Sequence, residues 1–74
     1  MTIRQFLSSY INYIKSIAVF EYIGDASSIG ADLEEDYEEV GIYRDRSYIP
    51  ENVMIRKVEY FDIENGDISI WMEA

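Results

Sequence analysis

The chain contains neither cysteine nor histidine. Without cysteine there is no disulfide framework and no thiolate metal site. Without either residue, Ser–His and Cys–His nucleophilic catalysis is out of reach, and the usual zinc and haem ligand sets are missing. Serine would have to use a lysine as base, and neither Lys15 nor Lys57 sits in a recognisable motif. Proline occurs once and glycine four times, and Gly24, Gly30 and Gly41 fit neither a phosphate-cradling loop nor a dinucleotide fingerprint. Basic residues are scarce: six Lys and Arg against fifteen Asp and Glu, a net charge of −9. That balance argues against direct binding to nucleic acid or to an anionic membrane, both of which need basic surface, and favours a basic protein as partner. No apolar run approaches the ~18 residues of a membrane span. The opening Met1-Thr2-Ile3 lacks a basic region ahead of an apolar one, so a cytoplasmic protein is expected.

What the chain does have is apolar material. Hydrophobic residues make up 49% and aromatics 15%, with seven tyrosines among 74 residues. A chain of low hydrophobicity and high charge stays unfolded; this one can collapse. Residues 1–74 are read as a single domain, near the lower size limit for one hydrophobic core.

The local patterns predict an α+β fold: an N-terminal helix packed on a small antiparallel sheet that ends in a C-terminal hairpin, with a second short acidic helix as an option. Thr2-x-x-Gln5 fits a capping box. Ile3, Phe6, Leu7, Tyr10, Ile11 and Ile14 follow at helical spacing, which predicts a helix over 3–14. "SIAVFEYIG", residues 16–24, reads as a strand ending at Gly24, and "VGIYR" from Val40 as a short strand with Gly41 at a bulge. "RSYIPEN" reads as a turn, because Pro50 disfavours helical backbone at Ile49. "VMIRKVEYFDI" and "DISIWMEA" flank Asn65-Gly66, a strong two-residue hairpin signal. That loop sets Ile63 opposite Ile68, Phe61 opposite Ile70 and Tyr60 opposite Trp71. The four aliphatic and phenyl side chains then share the core face, and Tyr60–Trp71 falls on the other.

Charge is unevenly distributed. Residues 21–39 hold eight carboxylates and no base, and "DLEEDYEE" packs six of them into eight positions. As a helix capped by Asp32, the run would bury Leu33, Tyr37 and Val40 and lose roughly 1 kcal/mol to like-charge pairs. As an extended segment it would form a charged edge, a known defence against aggregation. The helix is the expected form. It carries about one charge per 2 Å at ~1.5 Å per residue, against ~1.7 Å for duplex DNA. The strand carries one per ~4.4 Å, against ~3.4 Å for a single strand. At the hairpin tip Asp62, Glu64 and Asp67 crowd together, but the calcium-loop pattern is not met there, and no metal or other cofactor is expected.

Taken whole, the chain resembles the small acidic inhibitors made by phages and other mobile elements. These include anti-CRISPR and anti-restriction proteins, several of which occupy a DNA-binding groove as DNA mimics. The likeness lies in size, the −9 charge, "DLEEDYEE", rich tyrosine and the missing cysteine and histidine. It is one of character and carries no motif, so no functional residue transfers. It implies a non-enzymatic protein acting in a host cytoplasm. On that reading Asp32, Glu34, Glu35, Asp36, Glu38 and Glu39 would pair with lysines and arginines of a nucleic-acid-handling enzyme. Tyr37 and Tyr43 would add apolar contact, and Tyr60 and Trp71 would anchor a partner. The alternative is a homodimeric interaction module whose Tyr60–Trp71 face makes the contact, the acids serving solubility alone.

Overall fold

The computed structural model describes residues 1–22 and 37–73. Its elements in chain order are α1 (Ile3–Ser9), β1 (Ser16–Tyr22), β2 (Tyr37–Tyr43), a 3-10 turn (Arg46–Tyr48), α2 (Glu51–Met54), β3 (Val58–Glu64) and β4 (Asp67–Met72). They form a small α+β domain with an N-terminal helix, a second short helix and a four-stranded sheet ordered β2-β1-β4-β3.

The start of α1 follows its capping box. The Thr2 hydroxyl accepts from the Gln5 N–H at 3.1 Å, and the Gln5 side chain accepts from the Thr2 N–H at 2.9 Å. Its end comes earlier than the apolar spacing predicts, at Ser9 and not at residue 14. The Ser9 hydroxyl donates to the Phe6 carbonyl at 2.9 Å, and the Tyr10 N–H turns to the Leu7 carbonyl at 3.3 Å. A short polar side chain thus competes for the carbonyl that would continue the helix. Ile14 still packs against the core, but Ile11 is left 91% exposed.

The C-terminal hairpin has the expected register: Ile63 opposite Ile68, Phe61 opposite Ile70, Tyr60 opposite Trp71. Its turn places Asn65 at φ 51° and Gly66 at φ 86°, both in the left-handed region that a type I′ turn requires. The Gly66 carbonyl then accepts the N–H of Lys15 at 2.7 Å and of Ser16 at 3.3 Å, which sets β1 alongside β4. Two of the sheet's pairings are antiparallel as expected, and the third, β1 with β4, is parallel. The sheet is therefore mixed, with β1 and β4 central and β2 and β3 at the edges.

The core lies on one side of this sheet. Ile17 and Val19 of β1 and Ile68, Ile70 and Met72 of β4 meet Ile3, Phe6 and Leu7 of α1, with Ile49 and Val53 beside them. Phe61 and Ile63 share that face but stay 42% and 37% exposed, because β3 is an edge strand; a Phe6–Phe61 ring contact at 4.6 Å links it to α1. Ile49 is extended as Pro50 demands, at ψ 124°. Pro50 also opens α2, so Val53 and Met54 are helical and β3 begins only at Val58. An ion pair between Arg4 and Glu51 joins the two helices.

The described end of the acidic run, from Tyr37, departs from the expected helix. Tyr37 to Val40 are strand, paired with β1 as Tyr22–Tyr37, Glu21–Glu38 and Phe20–Glu39. The register shifts between Val19, opposite Gly41, and Phe20, opposite Glu39, which leaves Val40 as the extra residue of a bulge beside Gly41. Pairing with β1 supplies hydrogen bonds and a Tyr22–Tyr37 contact, and outweighs a like-charge cost on the order of 1 kcal/mol. Among the described residues the second short helix is Glu51–Met54. Asp32, Glu34, Glu35 and Asp36 lie outside the described residues, as do Leu33 and Gly24.

Candidate functional site

None of the four strands contains a lysine or arginine, although together they hold Glu21, Glu38, Glu39, Glu59, Asp62, Glu64 and Asp67. All six bases stand outside the strands. Several of them brace the helix side of the fold. Arg4 pairs with Glu51, Arg56 lies 3.7 Å from Glu21 and donates to the Glu73 carbonyl at 3.0 Å, and Arg46 donates to the Tyr10 carbonyl at 3.5 Å.

Strand alternation and register then assign the opposite face of the sheet. Residues opposite one another in adjacent strands share a face, and every second residue along a strand returns to it. One row across all four strands reads Glu39, Phe20, Trp71, Tyr60. The row beside it reads Ile42, Ala18, Ser69, Asp62, and the next holds Ser16, Asp67 and Glu64. Tyr22 and Tyr37 close the far end. The rings of the first row touch: Phe20 stacks on Trp71 with centroids 5.0 Å apart, and Trp71 meets Tyr60 at 5.2 Å. Such contacts add about 0.5–1.5 kcal/mol each beyond buried area.

This row depends on the parallel β1–β4 pairing, which brings Phe20 next to Trp71 from the far half of the chain. Both helices pack into the core on the other side, so among the described residues no helix lies over the row. Tyr60 is 49% exposed and Ile42 63%. The Trp71 indole N–H is shielded from solvent and meets no acceptor among the described residues.

The electrostatics of the face are one-sided. Its strand residues include Glu39, Asp62, Glu64 and Asp67 and no cation. Glu64 stands directly opposite Asp67, as the hairpin register predicts, and the Asp67 carboxylate accepts the Ser16 hydroxyl at 2.7 Å. Among the described residues, no group of three carboxylates comes close enough to hold a metal ion.

The residues singled out from sequence separate between the two faces. Tyr37, Glu39, Tyr60 and Trp71 belong to the aromatic face. Glu38 belongs to the helix side, opposite Glu21. Tyr43 also turns to the helix side and packs against the core, its ring lying over Gly41. Sequence reasoning missed Phe20 as a site residue, and it missed the grouping of Asp62, Glu64 and Asp67 with the aromatic row. The out-facing alternation of "IAVFEY" was a usable signal for Phe20; nothing local signalled its neighbour Trp71.

An open groove at the end of β2, lined by Ile42, Tyr43, Arg44 and Tyr48, brings together no acid–base pair. No helix among the described residues is long and apolar enough to cross a membrane. No protein-family model matches this chain, and no curated protein or solved structure shows significant similarity to it.

Proposed function

We infer that this is a non-enzymatic acidic binding protein that inhibits a nucleic-acid-handling enzyme, such as a CRISPR effector or a restriction nuclease. It does so by occupying the basic surface where that enzyme holds its nucleic acid. The observation that carries the reading is the segregation of charge: an all-acidic sheet in a chain of net charge −9, with the bases kept to helices and connections. A basic groove built for phosphates attracts such a surface at long range, so association is fast and weakens with salt. Glu38 and Glu39 are exposed on an edge strand, one toward each face of the sheet, so the strand presents a carboxylate on both sides.

The test is inhibition of a panel of purified nucleases at low and high salt. Wild-type protein is compared with a variant in which Asp32, Glu34, Glu35, Asp36, Glu38 and Glu39 are all replaced by Lys. The expected outcome is salt-sensitive inhibition lost in the variant. Equal potency of the two proteins would refute the mimicry. A homodimeric module is the second reading, favoured by the half-exposed Tyr60 beside Trp71. Sedimentation separates the two, since a dimer that Trp71→Ala disrupts supports the second.

A further inference from the structure

The geometry points to the aromatic face as the docking site for arginine side chains of an extended basic segment. Guanidinium groups would stack on the Phe20–Trp71–Tyr60 row and pair with Glu39 beside Phe20 and with Asp62, two residues along β3 from Tyr60, while Glu64 and Asp67 lie further along the strands and add to the field. The inference rests on the inhibitor reading and names the chemistry that the partner offers at this surface.

Three features argue for that occupant. Two contacts, at 5.0 and 5.2 Å, join the three rings, so the row spans about 10 Å. Alternate side chains of an extended strand recur every ~6.8 Å, so two arginines one residue apart cover it. Arginine stacks its planar guanidinium on a ring face and still presents N–H groups to carboxylates at the rim, which a lysine ammonium does less well. Charge excludes the competing occupants. A second copy laid face to face would set eight carboxylates against one another with no cation from any strand. A single-stranded nucleic acid could stack bases on the row, but its phosphates would meet only acids.

The experiment uses Trp71 as reporter, since it is the chain's single tryptophan. The intact protein is titrated with the peptide Thr-Arg-Thr-Arg-Thr-Arg-Thr and with its lysine counterpart, following emission at moderate salt. The arginine peptide is expected to change Trp71 emission saturably and to bind more tightly than the lysine peptide. Tyr60→Ala weakens it about two- to five-fold, as loss of one exposed cation–π contact does. Asp62→Asn with Glu64→Gln weakens it by a comparable factor of about two to five for each exposed charge pair removed. Glu51→Gln, which removes an exposed acid of α2 on the helix side, leaves it unchanged. Circular dichroism confirms that each variant is folded.

Equal weakening by Glu51→Gln and by the face variants would reduce the effect to general attraction and overturn the proposal. So would a silent Trp71, a face already covered within the chain itself, tighter binding of an oligothymidylate, or a dimer whose formation blocks the peptide. The same variants enter the nuclease assay. Inhibition that survives Tyr60→Ala and Asp62→Asn removes this face while leaving the inhibitor reading intact. Peptide binding at Trp71 by a protein that inhibits no nuclease does the reverse.

Discussion

Ile70 and Ile63 are the sharpest pair on which to test the strand order. Both are isoleucines of one hairpin, on one face, and the local pattern ranks them alike. The fold does not: Ile70 is fully buried on central strand β4, whereas Ile63 on edge strand β3 keeps more than a third of its surface exposed. Truncation to alanine removes three carbons, worth roughly 0.8 kcal/mol each when buried, or about 2.4 kcal/mol at Ile70. The cavity left between β4 and α1 adds to this, for an expected loss of about 3–4 kcal/mol. At Ile63 the transfer loss scales with the buried share and solvent fills the gap, so about 1–1.5 kcal/mol is expected. A domain of this size has a total stability of roughly 4–11 kcal/mol. Ile70→Ala thus removes a large share of it, and Ile63→Ala does not. Urea unfolding followed by circular dichroism reads both. Should Ile70→Ala not fold at all, Ile70→Val, at about 0.5–1.5 kcal/mol, gives the same comparison against Ile63→Val. Equal losses at the two positions would refute the placement of β4 in the centre of the sheet.

Two smaller perturbations probe the connections. Gly66→Ala forces a side chain onto φ 86° and sets its Cβ 3.3 Å from the Lys15 nitrogen, so a loss of about 1–2 kcal/mol is expected, or roughly 4–8 °C in Tm per kcal/mol; an unchanged Tm would contradict the turn geometry. Asp45 accepts a hydrogen bond from the Ser47 hydroxyl at 2.9 Å, and this bond, followed by the Arg46 backbone N–H, holds its carboxyl below the usual range. A depressed carboxylate contributes stability above its unfolded pKa and loses it as pH falls through the folded one. In an NMR titration, Ser47→Ala is expected to move the Asp45 midpoint upward, and an unmoved midpoint would assign the shift elsewhere.

What was legible in the sequence is what local chemistry decides. The Thr2–Gln5 capping box, the Asn65-Gly66 turn and the hairpin register each depend on residues within a few positions of one another, and each is present in the fold. The overlong helix has a local cause as well, since Ser9 intervenes where the apolar spacing continues. What was not legible was tertiary. Val53 and Met54 look like the start of a strand until Pro50 and the Arg4–Glu51 pair are seen to hold a helical turn there. Tyr37 to Val40 satisfy a helical stripe equally well, and only the presence of β1 as a partner decides for the strand. The aromatic row needed the parallel β1–β4 pairing, a contact between residues some fifty positions apart that no short pattern encodes.

That pairing also bears on why the acids are there. If they served solubility alone, mixed charges on the sheet would do as well, without like charges set directly across from one another. Among the described residues there are two such pairs, each unfavourable by about 0.2–1 kcal/mol. Glu21–Glu38, on the helix side, has the Arg56 guanidinium 3.7 Å from Glu21. Glu64–Asp67, on the aromatic face, has the Ser16 hydroxyl on Asp67 and no ion pair among the described residues. Edge protection explains acids on β2 and β3, where unpaired backbone would otherwise invite another strand. It does not explain why the strands give the aromatic face no cation at all. A surface whose strands set a stacked row of rings among carboxylates and no cation repels copies of itself and repels phosphates. It becomes electrostatically favourable when an external cation arrives, and that is the property an inhibitor of a phosphate-binding groove requires.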